Sequence, residues 1–262
     1  MKYTNPILSG FHPNPSICCV GDDFYLVTSS FEYFPGLPLF HSTDLVHWEQ
    51  IGHILDRNSQ VTLSDEAPNC LGIYAPTIRY HEGIYYCIVT NVSGPKGGNF
   101  FVYTTDPYGA WSEPVTLPFD GIDPSLLFDD DGKIYYSGTN NGIFITELTL
   151  TKSTSADGRV QISCDHVGKQ VYVWNGSGGS NPEGPHLYRI DGMYYLMIAE
   201  GGTEYCHMTT IARSRSVYGP YENCPHNPVL TNRSTALPIK AVGHADLIED
   251  QNGNWWAVCL GI

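Results

Sequence analysis

The chain has 262 residues, enough to bury a full core as one domain or two. Charged residues make up only 15% and aromatics 13%, with 27 Gly and 18 Pro spread along the chain, a mixture that suits an all-β protein rich in tight turns and excludes disorder. A formal net charge of −14 repels phosphate backbones and anionic lipid, so nucleic acid and membranes are set aside as partners, while a neutral carbohydrate meets no electrostatic obstacle.

The N-terminal stretch MKYTNPILSG has no apolar region of the signal-peptide kind, and no segment is long enough to span a bilayer as a helix. The expectation is a cytoplasmic protein if Met1 is the native start, and a secreted one if a signal peptide has been removed. Five segments then share one pattern. Each has a small residue or proline, an apolar strand start, a polar turn with Gly, and paired aromatic or apolar residues. In chain order they are NPSICCVGDDFYLV from Asn14, APTIRYHEGIYYCIV from Ala75, DPSLLFDDDGKIYYSG from Asp123, GPHLYRIDGMYYLMIA from Gly184 and HADLIEDQNGNWWAV from His244. Their second residues, Pro15, Pro76, Pro124, Pro185 and Ala245, recur at separations between 48 and 61 residues. Each unit reads as strand, tight turn and strand, and further strands such as LPLFHS and NFFVYTTD follow. Three or four strands at this period describe a propeller blade, so residues 1–262 are expected to form one five-bladed β-propeller; a β-sandwich is the rival. The fifth unit has room for about two strands before Ile262. Its blade is expected to be incomplete, with residues 3–8 as candidates to pair into it, and the chain reads as truncated at its C-terminus. Eight cysteines without CxxC spacing, several inside apolar runs (Cys18, Cys19, Cys87, Cys259), are expected to be buried free thiols.

In a propeller the innermost strand of every blade lines the axis, and the residues opening those strands meet near one mouth. The repeats bring together Asn14, Ala75, Asp123, Glu183–Gly184 and His244: an amide, two carboxyls and an imidazole. Taken singly, Asp123 before a proline suits a turn, Glu183 a loop and His244 a core. Their equivalence across the units points instead to a site.

At these residues the sequence resembles glycoside hydrolase family 43, the β-xylosidase and α-L-arabinofuranosidase group. The stretches NPILSGFHPNPSI, TSSFEYFPGLPLFHSTDLVHW, GIYAPTIRY, GIDPSLLFDDDGK, EGPHLYRIDGMYYL, TIARSRSVYGPYE and GHADL carry the likeness, and FEYFPG and HSTDLVHW look most like the xylosidase branch. The resemblance implies a five-bladed propeller that hydrolyses with inversion and needs no cofactor. It implies Glu183 as general acid, Asp123 as the modulator of its pKa, and His244 as a central histidine beside a bound water or a structural calcium ion. Phe31 and Tyr74 match aromatic walls beside the sugar, and Thr203 matches a residue bordering the subsite. The implied partner is a small xylan-derived oligosaccharide; the sequence gives no oligomeric state.

The likeness breaks at the base. Where the family motif has Asp, this chain has Asn14 in HPNPS, and an amide cannot take a proton from an attacking water. Three readings stay open: an engineered knockout, a natural substitution in a carbohydrate-binding pseudoenzyme, or another carboxylate such as Glu32 standing in. The arginine that the family draws from its last blade has no match before Ile262 either. The expectation is a xylose- or arabinose-releasing hydrolase impaired at its base, with the pseudoenzyme as alternative.

Overall fold

The computed structural model describes residues 3–64, 68–93 and 97–262, and among these there is no helix. Among the described residues nineteen strands form five antiparallel sheets. The first is β1 (Ser16–Val20), β2 (Asp23–Val27), β3 (Gly36–Ser42) and β4 (Glu49–Leu55). The second is β5 (Thr77–His81), β6 (Ile84–Asn91), β7 (Gly98–Thr104) and β8 (Val115–Leu117). In the third, β9 (Ile122–Phe128) and β10 (Ile134–Thr139) lead to the long β11 (Ile143–Thr154), whose two halves pair with β12 (Val160–Val167) and β13 (Val171–Trp174). The fourth is β14 (Glu183–Ile190), β15 (Met193–Glu200), β16 (Met208–Ser214) and β17 (Glu222–Asn223), and the fifth holds β18 (Gly243–Glu249) and β19 (Trp255–Leu260).

Each repeat is the inner hairpin of one sheet, and its turn residues decide the register. Glu82–Gly83 and Asp191–Gly192 have positive φ at both central positions, the geometry of a two-residue type I′ turn whose twist matches the strands it joins. The inner strands then close a ring: β5 packs on β1 and β9, β14 on β9 and β18, and β18 returns to β1. Apolar side chains fill the wedges between neighbouring sheets. Val27, Leu39, Cys87 and Val102 join the first to the second, Phe101, Leu126, Tyr136 and Phe144 the second to the third, and Ile145, Leu187 and Leu196 the third to the fourth. This is the radial arrangement of a propeller.

Two expectations need correction. Residues 3–8 form no strand; Pro6 within them offers no N–H to a ladder, and only Leu8 packs on the cluster around Ile17 and Phe24. Of the eight cysteines, all unpaired, only Cys18 and Cys87 are buried. Cys70 and Cys206 lie exposed on turns, and Cys259 is exposed because β19 pairs with β18 alone.

The axis itself is polar. Two residues beyond the opening position of each inner strand stand Ser16, Thr77, Ser125, His186 and Asp246, all buried. Asp246 is bound bidentately by the Arg79 guanidinium at 2.8 and 3.0 Å, and accepts from Ser16 Oγ (2.6 Å), Ile17 N (3.1 Å) and Tyr188 Oη (2.6 Å). Arg79 also meets His186 Nδ1 at 3.0 Å; a guanidinium only donates, so this nitrogen accepts and the imidazole is neutral. Burial opposes the charge on Asp246, but Arg79 holds the carboxyl ionised, well below the usual carboxylate range. The plug gives the upper mouth a floor. It also carries a cost if broken, because removing one partner strands a buried charge. Arg79→Met should destabilise the protein by about 3–5 kcal/mol in urea unfolding, and adding Asp246→Asn should recover part of that loss. A single variant as stable as the parent would refute this account of the axis.

Candidate active site

The mouth above the plug is built by a backbone device. In the third, fourth and fifth sheets the pairing slips at the start of the inner strand, so that two residues oppose one. These β-bulges fall at Asp123–Pro124, Gly184–Pro185 and His244–Ala245. The first residue of each is left-handed, with φ of 54°, 59° and 49°. Asn14 takes the same conformation, φ 50°. Asn, Asp, His and Gly are the residue types that tolerate it best, so the repeated polar residues satisfy the backbone and present chemistry at once.

The register also refines the ring. Asn14, Ala75, Asp123, Gly184 and His244 are equivalent, whereas Glu183 stands one residue earlier, where the second sheet has Tyr74. Gly184 leaves room for a neighbour: a Cβ there would lie 2.9 Å from His244 Cε1 and Nε2. Its N–H donates to Asp123 Oδ2 at 3.0 Å, tying the third and fourth inner strands together beside Glu183. Asp123 is buried and Glu183 half-buried. Burial above all, and then the charge of Glu183, push the Asp123 carboxyl up to about 8, although the Gly184 N–H pulls the other way. Burial likewise raises Glu183. The two carboxyls therefore retain a proton at neutral pH. Asn14 donates from Nδ2 to Ser29 Oγ at 3.2 Å, leaving its carbonyl oxygen as an acceptor.

Tyr74 joins the carboxyls. Its phenol is raised first by burial and then by the charge of Asp123, with smaller contributions from Cys70 and Glu183. The Phe31 ring lies edge-on to it at 5.5 Å. Phe31 is brought there by a bridge to Ile73, and Gly72 permits it, since a Cβ at 72 would sit 2.2 Å from the Phe31 carbonyl oxygen. Phe11, absent from the sequence reading, continues the wall, 5.8 Å from Phe31 and 5.7 Å from Tyr33. Thr203 lies on an exposed turn, 201–206, whose Gly201 N–H binds Ser180 O just ahead of Glu183. Glu32 is exposed and accepts from Cys70 N at 3.3 Å.

His244 is buried, and burial, followed by the nearby His186 and His207, pushes its imidazole down to about 3. The donors that this chain supplies around it are neutral imidazoles, and Asp246, the carboxylate whose charge acts on it, is saturated by Arg79, Ser16 and Tyr188. Calcium takes six to eight oxygens, so this set does not fit it. Among the described residues no group of three or more His, Cys, Asp or Glu could hold a metal ion.

Sequence comparison agrees with this geometry. The family model described as "Glycosyl hydrolases family 43" matches residues 3–262. A xylosidase/arabinosidase from Butyrivibrio fibrisolvens is 51% identical over 98% of this chain and half of its own length. A non-reducing end alpha-L-arabinofuranosidase from Bacteroides ovatus is 50% identical over 99% of this chain and 48% of its own. Among solved structures, the xylan beta-1,4-xylosidase of Bacillus halodurans superposes with a TM-score of 0.89 at 40% identity, covering 99% of this chain and 51% of that one. The chain thus spans about half the length of the relatives it matches. A family match over nearly every residue, on a propeller whose mouth gathers Asp123 and Glu183, leaves one assignment: this chain belongs to glycosyl hydrolase family 43.

Proposed function

We propose that this propeller is the catalytic unit of an inverting glycosidase that removes xylose or arabinose from the non-reducing ends of xylan-derived oligosaccharides, with its base position weakened by Asn14. The observation that carries the reading is the pairing of buried Asp123 with half-buried Glu183, which keeps a proton at neutral pH beside the Phe31–Tyr74 wall. The names of the relatives, xylosidase and arabinofuranosidase, support a pentose.

In this reading Glu183 is the general acid. In the free protein the shared proton rests with Asp123, the more deeply buried partner. A sugar filling the mouth desolvates the more open Glu183 further and moves the proton toward it. Asp123 is then left ionised on the Gly184 N–H. Protonated Glu183 gives its proton to the glycosidic oxygen as the bond to the anomeric carbon breaks, and water attacks from the opposite face. The Asn14 carbonyl can orient that water but cannot accept its proton, which passes to solvent water instead, a loss of about 10²–10⁴ in rate. Phe31 and Tyr74 offer apolar faces to the ring, and Thr203 and His244 border the pocket. No step requires a cofactor. Asn14 also supports a second reading, a carbohydrate-binding pseudoenzyme on the same scaffold.

An aryl β-xyloside and an aryl α-L-arabinofuranoside separate the two. Asn14→Asp should raise hydrolysis of at least one of them by about 10² or more, with inverted product. Sugar binding without any gain would establish the pseudoenzyme, and fast hydrolysis by the Asn14 form would show that residue 14 is not the base.

Glu183→Gln should abolish turnover of substrates with poor leaving groups and spare those that depart without protonation. Equal losses on both would exclude the acid role. The active form holds the proton, so turnover should persist below the titration of the pair and fall as pH rises through about 8. Only the Asn14→Asp variant should add a loss on the acid side.

Asp123 should limit stability as well. Its carboxyl titrates near 3.8 when exposed and near 8 when folded, so the folded state binds the proton more tightly and stability declines as pH rises between those values. Asp123→Asn should therefore raise Tm more at pH 8 than at pH 5 while lowering hydrolysis. A Tm difference independent of pH would contradict this.

A further inference from the structure

One buried carboxylate has no part in the chemistry above. Glu200 closes β15 next to Ala199, the register partner of Glu183. It is fully buried and, among the described residues, faces no cation; its partners are hydrogen-bond donors. Ser177 N reaches both oxygens, at 3.1 and 2.9 Å, Ser177 Oγ lies at 2.9 Å, and Gly179 N at 2.7 Å. Thr210 Oγ1 completes the set from β16. Three of these four donor groups belong to residues 175–182, the crossover that leaves β13 and delivers the chain to Glu183. Successive N–H groups curled round one anion form a nest, and here the anion is the protein's own.

The glycines of this crossover are shaped to the carboxylate. A Cβ at Gly176 would lie 2.5 Å from Glu200 Oε1, and one at Gly179 would lie 3.0 Å from Glu200 Cβ and 2.6 Å from Met208 Cε. Gly201 N, the next residue after Glu200, holds Ser180 O at 2.7 Å. Burial would raise the Glu200 carboxyl, yet the donors from Thr210, Ser177 and Gly179 outweigh it and keep the group ionised. An absent carboxylate would leave the Ser177 and Gly179 N–H groups unpaired in the interior, and the crossover would be free to move.

We propose that Glu200 is a positioning residue for the site: it anchors the 175–182 crossover and so fixes where the half-buried Glu183 carboxyl sits. This rests on the reading of Glu183 as the acid only for its kinetic consequence; the placement itself is independent of it.

The test is a carbon-detected NMR titration of glutamate side chains in the full chain, with the Glu183 signal assigned by Glu183→Gln. In the parent, Glu183 should titrate above the ordinary glutamate value. In Glu200→Ala it should fall back toward about 4.3, as the crossover releases the carboxyl into water. Glu200→Gln, which keeps one acceptor oxygen for Gly179 N, should shift it in the same direction by less and serves if the alanine variant does not fold. In the Asn14→Asp background, Glu200→Ala should reduce turnover of poor leaving groups by about 10-fold or more and of good ones by less than about threefold. An unchanged Glu183 titration in either folded variant would overturn the proposal, whatever the kinetics. If Glu183→Gln leaves hydrolysis intact while the titration still moves, the placement stands and the acid role falls.

Discussion

Five inner strands that converge on one axis must bring their backbone and side-chain polar groups into a space too narrow for bulk water. In this protein the Asp246–Arg79 pair resolves that problem. One carboxylate gathers donors from the first, second and fourth sheets, and one guanidinium reaches across to His186, so inner strands from four of the five sheets meet around a single ion pair. The worth of such a pair lies less in net stability than in uniqueness, since any other packing of these strands leaves a charge unmatched. It also supplies the cationic charge at the axis from the chain itself.

Everything above the plug inherits its position. The plug holds the inner strands that carry His186 and Asp246, two residues beyond the bulges at Gly184 and His244, and the Gly184 N–H then ties the third sheet in through Asp123. The site then uses burial in two opposite ways. Asp123 is desolvated beside the charge of Glu183, so it keeps a proton. Glu200 is desolvated but wrapped in donors, so it loses one. The two carboxyls thus end in opposite protonation states: donors converge on Glu200, whereas Asp123 receives one N–H and stands beside the charge of Glu183.

Much of this was legible in the sequence. The turn pairs Glu82–Gly83 and Asp191–Gly192 behave as their composition demands, and Asp123, Gly184 and His244, which open three of the repeats, lie side by side. What escaped was one step away in register. Ser16, Thr77, Ser125, His186 and Asp246 occupy the same place in every unit and could have been found by reading each repeat two residues further. Arg79 could not, because its partner lies in another sheet and only three-dimensional closure pairs them. Phe11 escaped because nothing local distinguishes an aromatic that walls a cleft from one in a loop. The exposed cysteines were misjudged for a related reason: an apolar run such as that around Cys259 shows strand character but not whether a further strand covers it.

The left-handed conformation at residue 14 has a chemical consequence of its own. Asn and Asp both suit φ near 50°, so the backbone does not distinguish the two. Asparagines commonly drift to aspartate with age, when the next backbone nitrogen attacks the side-chain carbonyl and closes a succinimide. Here the next residue is Pro15, whose nitrogen carries no hydrogen and cannot close that ring. The amide at this position is therefore shielded from the ordinary route of spontaneous conversion, and a stored sample does not slowly acquire the carboxylate it lacks.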